Sequence, residues 1–328
     1  MTNFPNISTA DQATLATGGM TFAQAEVLCR MSAFAYAETE LEIKTALGAT
    51  QWSQIICWLD ENVANQGFVA ITDQLLVLAF RGTNARNDWE RNAQAFFPQP
   101  HPLGGARHNG FQSVWQETPA PVRQLLKDAV AAGKTVWITG HSLGGAVATA
   151  ASAEILSETP PGAANHRVMT FGAPRFGNIE FHNVYDARHA STHWFVANQR
   201  DPVPHLPPTL IRYRHAGLLR YFSDTGEFLD ITKDQAGLQA ADSTPEGQAS
   251  EHWRHVEDDM GDRARDQQRY EAFVEGLSAS LPQVEVTVAP GASAITTVDG
   301  SLQGNSLWTT SAHSIALYWQ RLKAMLAN

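Results

Sequence analysis

A serine between two glycines is the residue of this chain whose surroundings point most directly to chemistry. Residues 136–145 read Val-Trp-Ile-Thr-Gly-His-Ser-Leu-Gly-Gly, so Ser142 lies at the centre of a Gly-x-Ser-x-Gly pattern. A serine hydroxyl is a weak nucleophile unless it projects from a sharp turn toward a base and toward oxyanion donors. The pattern therefore suggests a nucleophilic serine, although five residues of this kind also occur by chance in glycine-rich loops.

The residues on either side of Ser142 favour the nucleophile over the chance match. The apolar run before it is typical of a strand, and the small residues after it are typical of a closely packed helix. Gly140 and Gly144 carry no side chain that would hold such a strand and helix apart. Ser142 is therefore predicted to lie at a strand-to-helix turn, a nucleophile elbow.

A candidate acid follows the serine along the chain, in the order that enzymes with this elbow use. Asp201 comes directly after the apolar segment 192–197, and Pro202 and Pro204 stiffen the chain behind it. An aspartate before proline is also common in ordinary turns. The position of Asp201 at the end of a predicted strand makes it the best candidate.

The base should be a histidine further downstream, and His252, His255 and His313 lie well beyond Asp201. His313 comes immediately before a predicted amphipathic helix, which would anchor the loop that carries it. His255 lies in an acidic stretch, and such a stretch more simply indicates the solvent-exposed face of a helix. We favour His313 as the base and keep His255 as the alternative. His141, beside the serine, is expected to pack near the turn.

The site also needs two backbone N–H donors for an oxyanion. One is expected from Leu143, the residue after the nucleophile, and the other from a loop at another strand end. Thr83 is the candidate for the second, because Gly82 lets the chain turn at the end of a predicted strand. The same residues also fit a simple strand-terminating loop.

Apolar periodicity predicts the elements that must position these residues. Strands are predicted at 67–71, 75–80, 167–171 and 192–197, and helices at about 21–37, 118–132 and 314–326. The strand at 75–80 is apolar enough to be covered on both faces. Thr21 and Gln24 resemble a capping box at the start of the first helix. Strands that alternate with helices indicate an α/β fold with a mostly parallel sheet.

Composition narrows the classes of function. The chain has 328 residues, 43% of them apolar, and its 23 basic and 33 acidic residues give a net charge of −10. This acidity argues against nucleic acid or an anionic membrane surface as the partner. No apolar run approaches the roughly 20 residues that cross a bilayer. The first residues lack the features of a secretory signal, so we expect a soluble protein, cytoplasmic or secreted by a signal outside this chain.

The chain has two cysteines, Cys29 and Cys57, which lie among apolar residues. Two cysteines do not form a disulfide scaffold, and a buried free thiol is the simplest interpretation. We assign neither of them a chemical role.

Taken together, these motifs resemble the class 3, or fungal-type, triacylglycerol lipases of the α/β-hydrolase superfamily. The resemblance extends to about residue 217. It is carried by these segments: Phe80-Arg-Gly-Thr83, Gly110-Phe111, Gly140-His-Ser-Leu-Gly-Gly145, Thr170-Phe-Gly-Ala-Pro-Arg-Phe-Gly-Asn178, Asp201-Pro-Val-Pro204 and His215-Ala-Gly217.

The resemblance implies a single α/β-hydrolase domain over 1–328, with a mostly parallel central sheet flanked by helices. It also implies a triad of Ser142, Asp201 and a histidine near the C-terminus, with Thr83 and Leu143 as oxyanion donors. This histidine is implied to precede a tyrosine-bearing helix, so His313 followed by Tyr318 fits it. An insertion at about 218–300 would account for its long separation from Asp201.

The resemblance further implies a short helical lid, which falls on residues 84–97. Asn87 and Glu90 can cap a helix there. Trp89, Phe96 and Phe97 then fall on one apolar stripe, which fits a lipid-facing lid and a permanently packed helix equally well.

The expected function is hydrolysis of carboxylic esters of lipids through an acyl-enzyme, without a metal or organic cofactor. The expected partner is a neutral ester or lipid, either in solution or at a lipid–water interface. A short-chain or feruloyl esterase, a phospholipase A1 or an acyl transferase would use the same residues. A non-catalytic acyl-lipid binding protein on the same fold is a more distant alternative.

Overall fold

The computed structural model describes residues 2–60, 65–82, 98–199, 201, 203–207, 213–223, 225–229, 286–288, 294–297 and 313–327.

The centre of the molecule is an eight-stranded sheet with strand order β13-β12-β10-β8-β7-β4-β3-β2. Its strands are β2 (Gln54–Trp58), β3 (Gly67–Ile71), β4 (Leu75–Phe80), β7 (Thr135–His141), β8 (Arg167–Phe171), β10 (His193–Asn198), β12 (Leu218–Phe222) and β13 (Phe228–Leu229). The strands from β4 to β12 pair in parallel, whereas β2, β3 and β13 pair antiparallel at the two edges. The predicted mostly parallel sheet is confirmed.

Strand β4 shows why the sheet needs helices on both faces. All six of its side chains are buried. Leu75, Val77 and Ala79 belong to one hydrophobic core, and the residues that alternate with them belong to a second core on the other face. Because neighbouring side chains of a strand point to opposite faces, an uninterrupted apolar run fits only a sheet that is covered on both sides.

Eight helices flank the sheet within the described residues. They are α1 (Thr9–Ala16), α2 (Phe22–Phe34), α3 (Glu40–Leu47), α4 (Asn109–Gln116), α5 (Ala120–Ala131), α6 (Leu143–Glu158), α7 (Ile179–His189) and α8 (Ile315–Ala327). Helices α1, α2, α3 and α8 contribute to the first core, and α4 to α7 contribute to the second.

Two smaller antiparallel sheets complete the described structure. One has the order β11-β9-β6-β5, and the other has the order β1-β15-β14. Their strands are β1 (Thr2–Pro5), β5 (Pro98–Pro100), β6 (Ala106–His108), β9 (Gly177–Asn178), β11 (Tyr213–Arg214), β14 (Val286–Val288) and β15 (Ala294–Thr297).

The start of the first predicted helix is correct, but the predicted capping box is wrong. Thr21 is the N-cap residue of α2, yet its side chain makes no capping hydrogen bond to the helix. The hydroxyl of Thr21 donates instead to the side-chain oxygen of Gln24. The amide of Gln24 donates to Thr14 and Thr17, so contacts with α1 take the place of the local box.

The segment at about 218–300, predicted to be an insertion, begins within the central sheet, because β12 and β13 lie at its edge. Beyond residue 229 the structure describes only β14 and β15 of this segment. No helix in the described part of the chain is long and apolar enough to span a membrane.

Candidate active site

Ser142 occupies the turn between β7 and α6 that the sequence predicts. Its backbone has φ 59° and ψ −130°, and among the described residues it is the one non-glycine residue with positive φ. Such a conformation is strained for a side-chain-bearing residue and persists only where the surroundings enforce it. The strained backbone is the feature expected of a nucleophile elbow.

The glycines around Ser142 allow the strand and helix to touch. A Cβ atom added at Gly140 would overlap the backbone of Gly144, and one added at Gly144 would overlap the carbonyl of Phe80. A Cβ at Gly145 would lie 2.6 Å from that of Ala173. These three positions therefore need glycine, because backbone at Gly140 and Gly144 and the side chain of Ala173 at Gly145 fill the space that a side chain would take.

The turn is held against the neighbouring strand β8. The backbone N–H of Ser142 donates to the carbonyl of Phe171 at 3.0 Å, and that of Gly145 donates to the carbonyl of Ser142 at 2.9 Å. Ser142 is buried, with 2% of its surface exposed.

Asp201 lies in the loop after β10, as predicted, and is completely buried. Its Oδ1 accepts the Val203 backbone N–H at 2.9 Å, and its Oδ2 accepts the Tyr318 hydroxyl at 2.7 Å. Because a buried carboxylate is stable only when its oxygens are hydrogen-bonded, these donors hold it in one orientation.

His313 comes to this carboxylate from 112 residues away in the sequence. Its Nδ1 lies 2.9 Å from Oδ1 and 2.8 Å from Oδ2 of Asp201. A carboxylate only accepts hydrogen bonds, so Nδ1 carries the proton, and Nε2 of a neutral His313 keeps a lone pair. This tautomer has the acceptor that a general base needs.

Gly172 lies between the serine and the acid–histidine pair. It follows Phe171, which accepts the Ser142 amide, and its φ is +55°. A Cβ atom at residue 172 would lie 2.7 Å from Asp201 Oδ2 and 3.1 Å from His313 Nδ1. Ser142, Asp201 and His313 therefore gather at the carboxyl edge of the parallel sheet, where its loops meet.

Tyr318 links the last helix to the acid loop. Its hydroxyl accepts the Asn198 backbone N–H at 3.1 Å while it donates to Asp201. Burial and the adjacent carboxylate raise the pKa of Tyr318 well above its ordinary value, so the hydroxyl keeps its proton. One turn further along α8, Arg321 donates to the side chain of Asn198 at 2.7 Å.

The candidate oxyanion donors are only partly within the described residues. Leu143 is the first residue of α6, and helix-initial N–H groups have no partner inside the helix. A 16-residue helix also adds a partial positive charge at this end. Thr83 lies outside the described residues, as do the candidate lid residues Asn87, Trp89, Phe96 and Phe97, and the alternative base His255.

Two other histidines support the loops around the site. His141 is buried beside the elbow, in agreement with the expectation that it packs near the turn. His215 stacks on Phe195 with ring centroids 3.8 Å apart, and its Nε2–H donates to the carbonyl of Pro204 at 2.7 Å. Within the described residues, no group of three or more potential ligands could hold a metal ion.

Several of these supporting residues are not evident from the sequence. Tyr318 fits the apolar face of the last predicted helix, and Gly172, Asn198 and Arg321 show no local pattern that indicates a role at the site. The resemblance, which implies a tyrosine-bearing helix after the histidine, was the one available signal for Tyr318. Nothing local indicates that Arg321 reaches Asn198, because 123 residues separate them.

The sheet topology and the serine elbow define an α/β-hydrolase fold. Residues 77–211 match the model of the class 3 lipase family. Among solved structures, the triacylglyceride lipase of Rhizomucor miehei is similar to this chain, with a TM-score of 0.53 and 25% sequence identity. The similarity covers 68% of this chain and 84% of that lipase.

Curated relatives match shorter segments. The secreted mono- and diacylglycerol lipase 1 of Fusarium solani is 37% identical over 121 residues, which are 36% of this chain and 34% of that protein. The lipase of Rhizopus oryzae is 31% identical over 158 residues, or 46% of this chain and 40% of that protein. The match therefore spans less than half of either relative.

Proposed function

We propose that this protein hydrolyses carboxylic esters of acylglycerol lipids through an acyl-enzyme on Ser142. The observation that carries the proposal is the contact of His313 Nδ1 with both oxygens of buried Asp201, at the sheet edge that holds the strained serine. Asp201 and His313 come from distant parts of the chain, so local structure alone does not account for their contact.

In the proposed first step, Nε2 of His313 removes the Ser142 proton as Oγ attacks the ester carbonyl. Asp201 holds the histidine tautomer and stabilises the imidazolium that forms. The backbone N–H groups of Leu143 and Thr83 bind the oxyanion. The imidazolium then protonates the departing alcohol, which leaves an acyl group on Ser142.

In the second step, the same histidine activates a water molecule that attacks the acyl-enzyme. The tetrahedral intermediate collapses and releases the fatty acid, and Ser142 recovers its proton. Proton transfer and hydrogen bonding account for both steps, so the proposal needs no metal or organic cofactor. It holds equally for a cytoplasmic and for a secreted enzyme.

A neutral lipid ester is the proposed substrate class. A net charge of −10 disfavours an anionic phospholipid surface. The relatives are named as lipases and as mono- and diacylglycerol lipases, which supports acylglycerols for this chain as well. Rates on p-nitrophenyl esters of increasing chain length test this choice. A maximum at short chains would instead favour the esterase alternative.

The residues 84–97 are proposed as a lid that opens at a lipid surface. The apolar stripe of Trp89, Phe96 and Phe97 fits this lid and a permanently packed helix equally well, and the response to a lipid surface distinguishes the two. Activity on emulsified ester should then rise steeply once the substrate exceeds its solubility. A smooth, saturating dependence through that point would argue for a permanently packed helix.

Replacement of the nucleophile tests the mechanism directly. Ser142→Ala is expected to lower kcat by about 10⁶-fold, because the triad acts as a unit. A serine-directed phosphonate should label the parent protein and not this variant. Ser152→Ala is the matched control, because Ser152 is a completely buried serine on α6, the helix that follows Ser142.

The control should keep its kcat and its labelling. Retention of most activity in a folded Ser142→Ala protein would contradict the acyl-enzyme mechanism. A folded parent protein that neither reacts with the phosphonate nor cleaves esters would support the lipid-binding alternative.

A further inference from the structure

His141 is the one member of the serine motif to which the proposed mechanism gives no part, yet both of its ring nitrogens are engaged. The ring is 5% exposed. Its Nε2 lies 2.7 Å from the backbone oxygen of His313, and its Nδ1 lies 2.8 Å from the Tyr36 hydroxyl. The two histidine rings are also in contact, with centroids 4.5 Å apart and planes tilted by 32°.

The chemistry of the partners assigns the protons. The carbonyl of His313 only accepts, so Nε2 of His141 carries a proton and donates. In a neutral ring Nδ1 is then an acceptor, and the Tyr36 hydroxyl donates to it. The carbonyl of His313 therefore fixes the tautomer of His141, and this tautomer fixes the direction of both hydrogen bonds.

Tyr36 also connects these hydrogen bonds to the loop that precedes Thr83, because its hydroxyl packs closely against Gly82. A Cβ atom at residue 82 would overlap that hydroxyl and would lie 2.7 Å from the carbonyl of His141. The close approach of these three groups therefore depends on glycine at position 82.

We propose that Tyr36 and His141 are positioning residues that hold three loops of the active site in register. The series runs from the Tyr36 hydroxyl, which packs against Gly82, through the His141 ring to the His313 carbonyl. It connects the loop before Thr83, the residue before Ser142, and the backbone of the base. This inference rests on the proposed function, since it concerns the alignment of those groups.

A neutral His141 ring is suited to the role of a positioning residue. Burial, and then the neighbouring His313, lower the pKa of His141 well below its ordinary value. His313 becomes an imidazolium during the proposed reaction, and a second cation against its ring would oppose that charge. A neutral ring that donates to the His313 backbone positions the base without this penalty.

Tyr36→Phe tests the series, because it removes the hydroxyl and keeps the ring. We expect kcat to fall about tenfold with KM changed less than twofold, since the hydroxyl aligns reacting groups and does not bind substrate. Tyr185→Phe is the matched control. Tyr185 is also buried, and its hydroxyl contacts Ser152 and His193, away from the site.

The control should lose comparable thermal stability and keep kcat. Equal kcat values in folded Tyr36→Phe and Tyr185→Phe proteins would overturn the proposal. The proposed function would still stand in that case if Ser142→Ala is inactive. If Ser142→Ala stays active, the proposed function itself fails.

A double-mutant cycle tests whether the two residues act together. His141→Phe, which keeps a ring without hydrogen bonds, should lower kcat about 100-fold. His141→Gln keeps a donor and an acceptor and should recover part of the loss. In the double variant that combines Tyr36→Phe with His141→Phe, the fold-loss in kcat should be smaller than the product of the two single fold-losses. An exact product would show two independent effects and would contradict the series.

Discussion

At the scale of single residues, the geometry of the candidate site depends on its glycines as much as on Ser142, Asp201 and His313. Ser142 adopts its strained turn because glycine surrounds it, and Asp201 meets His313 beside a glycine with φ +55°. A methyl group at Gly172 would enter the space next to Asp201 Oδ2. Glycines therefore determine how closely the candidate catalytic groups are packed together.

Gly172→Ala is expected to lower kcat by about 10²-fold, because displacement of the acid–histidine pair by a fraction of an ångström disturbs alignment. Gly133→Ala is the matched control. Gly133 has φ +72°, so alanine meets a similar backbone penalty there, but nothing lies within 4 Å of the added Cβ.

Steady-state kinetics and thermal denaturation of both variants separate the two effects. Both should be destabilised, and only Gly172→Ala should lose activity. A Gly172→Ala protein with the kcat of the control would show that the contact with Asp201 and His313 does not matter for catalysis.

At the scale of elements, helix ends and strand ends carry the site. Strand β7 ends one residue before Ser142, β10 ends three residues before Asp201, and α8 begins two residues after His313. Away from the site, His108 caps α4, and its Nδ1 accepts the Phe111 amide at 3.4 Å. Its role as an acceptor requires an unprotonated Nδ1.

His108→Asn is expected to make folding stability less sensitive to acid. Burial lowers the pKa of His108 to about 4 from 6.5. A lowered folded-state pKa means that its contribution is complete above pH 6.5 and is lost as the pH falls toward 4. Asparagine is a good N-cap that does not titrate.

Urea unfolding at pH 7.5 and pH 5.5 measures the difference. The loss of unfolding free energy between these pH values should be about 1 kcal/mol smaller in the variant than in the parent. The variant should be less stable at both pH values, because it loses the ring stack on Phe111. An equal loss of unfolding free energy in the parent and the variant would contradict the proposal that His108 caps α4 in its neutral form.

At the scale of the whole molecule, the two larger of three hydrophobic clusters in the described residues cover the two faces of the sheet, and several histidines are also buried. Burial lowers the pKa of six histidines below the ordinary value: His101, His108, His141, His166, His189 and His193. His166, His189 and His193 lie close together, with the rings of His166 and His189 stacked 4.1 Å apart. Protonation of one would therefore oppose protonation of its neighbours.

The protein is expected to lose several kcal/mol of stability between pH 7 and pH 5, on the order of 1 kcal/mol for each buried neutral histidine. These histidines stabilise the fold above pH 6.5, and the unfolded chain gains protons first as the pH falls. Urea midpoints at half-unit steps from pH 7.5 to pH 4.5 measure the loss. A constant midpoint across this range would show that the histidines titrate normally.

The sequence by itself determined the local elements, because the period of apolar residues depends only on neighbours along the chain. The predicted strands at 67–71, 75–80 and 167–171 agree with β3, β4 and β8, and the helix predicted at 314–326 agrees with α8 to one residue at each end. The turn at Ser142 was predictable for the same reason, since glycine spacing and flanking residues define it locally.

Only the tertiary structure decided which distant groups meet. Spacing did not determine that His313 would contact Asp201 across 112 residues, or that Tyr36 would reach His141 across 105. The tertiary structure also replaced the predicted capping box at Thr21 with contacts between Gln24 and α1. Hydrogen bonds between distant residues depend on how whole elements pack, and a single sequence carries no local signal for that packing.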